Sequence, residues 1–197
     1  MKKRPQIHQH RNIFTLLLPL LSIIIAGFFI VFTSFYEAGW FFNWTGIRAE
    51  IKDSVKITEQ FGIKSGIDAW GISSEDDLQR RRWIMKSASV NELLKLTEYP
   101  NGNVKALAYE GLIKKREFGS KTELILKAIE DSTYFVSFQS GCIVWDMGVG
   151  EYLIQNVLRL DDRFPPLPAD MQIDYGLSDE DKTLIKTAFK KKNQINL

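Results

Sequence analysis

The sequence has few of the side chains that bind metals or act as catalytic nucleophiles. Among its 197 residues there is one cysteine, Cys142, and both histidines, His8 and His10, lie close to the N-terminus. An intrachain disulfide is therefore excluded. A zinc site needs clustered ligands and a catalytic cysteine needs a nearby base, so we predict no metal, no cofactor and no cysteine chemistry. Cys142 is interpreted as a small, buried core residue.

An excess of one charge is also lacking. The chain carries 26 basic and 24 acidic residues, and four of the basic ones precede position 12. The near balance in the rest of the chain gives no electrostatic reason to expect nucleic acid as a partner. The run Arg80-Arg81-Arg82 follows Asp76 and Asp77 at the spacing of paired charges on a helix, so a solvated helix face is expected there.

No charged residue occurs between Asn12 and Tyr36, and most residues there are Leu, Ile, Phe or Val. As a helix this segment would be about 37 Å long, enough for a hydrocarbon core of about 30 Å. It is longer than the apolar part of a cleaved signal, about 7–15 residues. We therefore predict a retained transmembrane helix over 12–36 after a basic cytoplasmic tail, residues 1–11. The positive-inside rule then predicts a single-pass membrane protein whose C-terminal domain is periplasmic or extracellular.

Four aromatic residues follow the apolar run, within residues 37–46. They are Trp40, Phe41, Phe42 and Trp44. Because amphipathic rings favour the headgroup region, we predict that these four lie at the membrane interface and that residues 12–44 contact lipid. The alternative is ordinary packing of the rings beneath the domain.

The remaining residues, 47–197, are predicted to form a soluble helical domain. Ser74 and the three acidic residues after it predict a helix that runs to about Lys86. The glycines between positions 62 and 71 predict a loop. Ser178 and Asp181 resemble a capping box, which predicts the start of a last helix.

An internal repeat supports the helical prediction. Residues from Leu93 onward align without a gap with residues from Ile125 onward, an offset of 32 positions. Each copy has an apolar helix, a polar turn and a second predicted helix, the pattern of a helical solenoid unit. The residues predicted to form the buried core of the two copies are Leu94, Val104, Leu107, Ala108, Leu112, Leu126, Val136 and Val144.

The first copy, residues 93–112, resembles a HEAT repeat. It has an apolar helix, a turn with Pro100, and a second helix in which Lys105 stands where the family usually has arginine. The second copy lacks the proline and carries Gly141 inside its predicted second helix. The resemblance, over about 91–158, is to uncharacterised bacterial membrane-anchored HEAT-like proteins. It implies a compact all-α domain with about two helical hairpins and a binding or scaffolding role.

The sequence therefore predicts a non-enzymatic, membrane-tethered interaction or scaffolding module of the cell envelope, which binds a protein partner. Two alternatives remain. The acidic residues Asp161, Asp162, Asp170 and Asp174 could supply the carboxylate pair of a hydrolase that acts on cell-wall glycan. Gly27 and Ser22 could instead let the apolar helix pack closely inside a larger membrane complex, with the protein as an accessory subunit.

Overall fold

The computed structural model describes the backbone of residues 13–35, 41–68, 75–165, 168 and 173–195. The chain divides into two compact units, Met1–Ala38 and Gly39–Leu197. The first unit contains helix α1 (Ile13–Phe35), with Pro19 inside it. The described side chains of α1, residues 17–33, are all exposed.

The transmembrane prediction is not supported. Across the described part of the chain, no helix is both long enough and apolar enough to span a bilayer. The predicted transmembrane helix over 12–36 is therefore wrong, as is the single-pass membrane localisation that depended on it.

The second unit combines helices with a small sheet, so the all-α prediction is wrong. Its helices are α2 (Ala49–Phe61), α3 (Glu75–Ser87), α4 (Val90–Leu96), α5 (Gly102–Lys114), α6 (Lys121–Glu130), α7 (Val149–Tyr152) and α8 (Asp179–Ile195). Its strands are β1 (Ile63–Asp68), β2 (Phe135–Gly141) and β3 (Ile143–Gly148). Helix α7 continues directly into a π-helical turn, Leu153–Val157.

The two helices predicted for the first repeat copy are present as α4 and α5. Their starts are set by local capping: the Ser89 hydroxyl accepts the backbone N–H of Glu92, and the Asn101 side chain accepts two backbone N–H groups of α5. Helix α5 is buried along nearly its whole length, from Gly102 to Ile113. It contacts α2, α3, α4, α6, α7 and β2. A helix that is buried on all sides forms the centre of the domain.

The second repeat copy is not a helical hairpin. Helix α6 occupies its first half, but the predicted second helix is the antiparallel hairpin of β2 and β3. This segment is rich in aromatic and β-branched residues, and Val136 and Phe138 are buried while the residues beside them are not. Gly141 has a φ of 59° and shares with Cys142 the two-residue turn between the strands.

Strand β2 lies in the middle of the three-stranded sheet. It pairs antiparallel with β3 and parallel with β1, where Ile63 is opposite Phe138 and the register shifts between Lys64 and Asp68. The prediction of a loop over residues 62–71 is therefore wrong for β1. A short strand with a glycine in its interior, here Gly66, has a weak local signal, and β1 obtains its ladder partners from a strand far later in the chain.

Two glycines let helices approach their neighbours closely. A Cβ atom at Gly102 would collide with the carbonyl oxygen of Phe135, so only glycine allows α5 to start against β2. At Gly150, a Cβ atom would collide with the Cα atom of Ile129 in α6. The core of the domain thus depends on contacts between backbones as well as between side chains.

Candidate functional site

The predicted repeat-core residues lie in two different environments. Five of them are fully buried, four in α5 and one on β2: Val104, Leu107, Ala108, Leu112 and Val136. The other three are less buried. Leu94 is exposed on α4, Leu126 is half-buried on α6, and Val144 on β3 exposes 59% of its surface. The repeat alignment thus brought together core residues and one clearly exposed strand residue.

The aromatic segment before the domain is partly packed against it. Phe42 and Trp44 are half-buried and form a cluster with Tyr99, with ring centroids 4.8 and 5.3 Å from the tyrosine ring. Phe41 is 75% exposed, and Trp40 lies outside the described residues. Packing beneath the domain therefore accounts for Phe42 and Trp44.

An ion pair holds the start of the domain to α4. The Glu92 carboxylate accepts hydrogen bonds from the backbone N–H, Nε and Nη2 of Arg48 at 2.9, 3.0 and 2.9 Å. It also accepts the backbone N–H of Ser89 at 2.8 Å, which completes a capping box. These donors, above all the Arg48 side chain, lower the pKa of Glu92 to about 2. The pair fixes the entry of the chain into the domain.

Two of the carboxylates proposed for hydrolysis form ion pairs with arginine and lysine side chains. Asp161 accepts hydrogen bonds from the backbone and guanidinium groups of Arg163. Asp162 accepts hydrogen bonds from the Nζ atoms of Lys186 and Lys190 at 2.9 and 2.7 Å. The hydrogen bond from Arg163 lowers the pKa of Asp161, and the two lysines lower the pKa of Asp162 to about 2.

The remaining two acidic residues of that group do not complete a catalytic pair. Asp174 accepts the backbone N–H of Gly176 within a turn, and Asp170 lies outside the described residues. A glycosidase-type general acid needs a carboxyl whose pKa is raised. Since Asp161 and Asp162 are instead held in the ionised form, their geometry does not favour the hydrolase alternative.

A buried polar network joins α3, α5 and α7. Arg81 donates from Nη2 to Glu110 and to the Tyr152 hydroxyl, both at 3.0 Å, and from Nη1 to the carbonyl oxygen of Lys64. Burial, together with the Glu110 charge, raises the pKa of Tyr152. Burial opposes ionisation of Glu110, but the charges of Arg81 and Lys114 outweigh it and lower the pKa of that carboxyl.

This network is a structural tie between the central helix and β1. Arg81 is 6% exposed, so the prediction that the arginine run lies on a solvated helix face is wrong for this residue. Its Nε is the one buried side-chain polar atom without a hydrogen-bond partner among the described residues. The network could not be predicted from the sequence, because Arg81 and Glu110 are far apart in the chain and each has nearer residues of opposite charge.

The hairpin exposes three consecutive apolar residues on its outer strand. Ile143, Val144 and Trp145 leave 64%, 59% and 38% of their surfaces exposed. Strand β3 ends the sheet, and no strand within the described ranges pairs with its open side. We call residues 143–146 the β3 edge. Cys142 is exposed in the adjoining turn, so its interpretation as a buried core residue is wrong.

The backbone of the β3 edge has the geometry required for strand pairing. The two residues that flank a two-residue turn form backbone hydrogen bonds with each other across the hairpin, so the N–H and C=O groups of Ile143 point to β2. By alternation, Val144 and Asp146 direct their N–H and C=O groups to the open side. Met147 is 3% exposed, and the Trp145 ring packs edge-on against Phe138 at 5.3 Å between centroids. The edge is thereby held rigidly on the core.

The described residues contain no cluster of three or more His, Cys, Asp or Glu side chains that could hold a metal ion. Comparisons with protein-family models, with curated proteins and with solved structures find no match for the chain. The resemblance to HEAT repeats therefore stays a prediction from the residues alone. The β3 edge is the candidate functional site that the geometry itself defines.

Proposed function

We propose that the Gly39–Leu197 unit is a protein-interaction module that binds an extended polypeptide segment at the β3 edge. The observation that carries this proposal is the coincidence of two features on one strand. β3 has an open backbone edge, and its consecutive residues Ile143, Val144 and Trp145 are exposed and apolar. Exposed apolar strand edges are a liability that proteins usually cover or charge, so one that is retained indicates a surface for another chain.

Strand addition uses two kinds of contact. Main-chain hydrogen bonds from Val144 and Asp146 supply affinity that does not depend on the sequence of the bound segment. Side chains supply specificity: Ile143 and Trp145 project to one face of the sheet and Val144 to the other. We therefore expect a bound segment with apolar residues on alternate positions and no acidic residue opposite Asp146, the single charged residue of the edge.

The edge is suited to binding because it is already formed. The hairpin is closed by the Gly141 turn and anchored by Met147, so little conformational entropy is lost on the side of the domain when a segment binds. A bound strand continues the existing sheet and requires no rearrangement of the core.

Selection of short random peptides displayed against the full chain tests the proposal. We expect enriched peptides with alternating apolar residues whose affinity falls at least about tenfold for Val144→Pro, since proline removes an outward N–H without breaking the pairing with β2. Val144→Thr, which keeps the N–H and the branched shape, is the matched control and should bind as the wild type does. Failure to enrich any peptide, or equal binding by the proline variant, would overturn the proposal.

A further inference from the structure

We infer that the β3 edge pairs with the β3 edge of a second copy of this chain, antiparallel about a two-fold axis through Val144. This inference rests on the proposed strand-addition function and names the partner. The N–H and C=O groups of Val144 both face the open side, so two copies can exchange hydrogen bonds at the axis itself. An isologous contact of this kind needs no second complementary surface elsewhere on the protein.

The side chains favour this register. With Val144 on the axis, Ile143 of each copy lies opposite Trp145 of the other. Both are exposed, and both lie on the same face of the sheet. Pairs of aromatic and β-branched residues are among the favourable cross-strand neighbours. The exposed apolar surface of one edge therefore covers that of the other.

The charge of Asp146 disfavours the registers centred on Trp145 and on Asp146 itself. With Val144 on the axis, Asp146 is opposite Cys142 of the second copy, and the two aspartates are separated by about 13 Å along the strands, beyond the screening length at physiological salt. An axis through Asp146 would place like charges directly opposite each other. An axis through Trp145 would place the apolar Val144 opposite Asp146. Of these three registers, the Val144 register is the one that leaves Asp146 opposite neither a like charge nor an apolar edge residue.

The contact is small, and this sets the strength expected of it. Each copy contributes three exposed apolar side chains and one short strand edge. This is well below the about 800 Å² per partner of a standard stable interface. We therefore expect a reversible association that is appreciable at roughly 100 µM chain or above. A partner strand with more contacts would displace the second copy.

Site-specific crosslinking of the full chain tests the inference without relying on tight binding. The Val144→Cys variant, made in a Cys142→Ser background, brings two thiols together at the axis and should form a disulfide-linked dimer under mild oxidation at about 100 µM. The matched control is Leu184→Cys in the same background, because Leu184 is 53% exposed on α8, a helix that packs against α6. Association that brings neither position 144 nor position 184 next to its counterpart leaves only random collisions of thiols, which affect both variants alike.

We expect the Val144→Cys dimer to form at least tenfold faster than the Leu184→Cys dimer, with unchanged circular dichroism in both variants. Equal rates would overturn the inference. If rates are equal while proline-sensitive peptides are still selected, strand addition stands and only the second copy as partner is lost. If no peptide is selected either, both the function and the partner are refuted.

Discussion

The ion pair between Glu92 and Arg48 yields a prediction about acid stability. In Glu92→Gln the side chain keeps its size but loses its charge, so the hydrogen bonds from Arg48 and Ser89 are weakened together. The capping box at the start of α4 and the entry of the chain into the domain both depend on this carboxylate. We therefore expect the variant to fold with lower stability at neutral pH.

The pKa of Glu92 provides the magnitude. A fall from 4.5 to about 2 corresponds to roughly 3 kcal/mol, since each tenfold change in proton affinity is worth about 1.36 kcal/mol. The Arg48 side chain is 52% exposed, and solvent screening reduces the value of such a pair to a fraction of that figure. We expect Glu92→Gln to lower the free energy of unfolding by about 1–2 kcal/mol at pH 7.

The pH dependence follows from the direction of the shift. Because the folded-state pKa is lowered, the contribution of Glu92 is fully present above pH 4.5 and is lost as the pH falls through about 2. The difference between wild type and variant should shrink to about a quarter of its neutral value by pH 2.5. Urea unfolding of the full chain between pH 7 and pH 2.5, followed by tryptophan fluorescence, measures this difference.

The control for this experiment is Glu130→Gln, a glutamate exposed at the end of α6. Its difference from wild type should stay small and change little over the same pH range, since an exposed carboxylate contributes little to stability. A Glu92→Gln difference that stays constant from pH 7 to pH 2.5 would refute the electrostatic explanation. It would show that the glutamine disturbs packing instead of removing a charge.

Two further substitutions test the packing and the buried network. Gly150→Ala should lower the free energy of unfolding by about 1–3 kcal/mol, because its Cβ would collide with Ile129. The control is Gly119→Ala, which should change the free energy of unfolding by under about 0.5 kcal/mol, because no atom lies within 4 Å of the new Cβ. Comparable urea midpoints for the two variants would contradict the close approach of α7 to α6. Tyr152→Phe removes a hydroxyl that donates to the buried Glu110 at 2.8 Å. It should lower the free energy of unfolding, measured with urea, by about 1–3 kcal/mol. A decrease of under about 0.5 kcal/mol would argue against the network.

Helix ends were accessible from sequence because capping is local. The acidic turn after Ser74 predicted a helix to about Lys86, and α3 spans Glu75–Ser87. The pairing of Ser178 with Asp181 predicted the start of α8, and both side-chain and backbone bonds of that capping box are present. Ser178 and Asp181 lie within one helical turn, so a few adjacent residues contain the whole interaction.

The sheet was not predicted because the imperfect repeat suggested a helix over residues 135–148. The alternation of apolar and polar residues in that segment indicated strands instead. The alignment of Val136 with Val104 extended the helix period into a segment whose buried residues alternate with a period of two. Gly141, noted as a departure from the repeat, is the residue of the hairpin turn. Had the alternation and this glycine been weighted above the repeat, the β3 edge could have been predicted.

The sequence by itself determined the capped helices, the buried stripe of α5 and the scarcity of metal-binding and nucleophilic side chains, because these depend on neighbouring residues or on composition. Only the tertiary structure decided that Arg81 is buried beside Glu110, that β1 joins β2, and that the β3 edge is left open. Those features depend on contacts between residues distant in the chain. Their free energy comes from desolvation and ladder hydrogen bonds that exist only once the chain has folded.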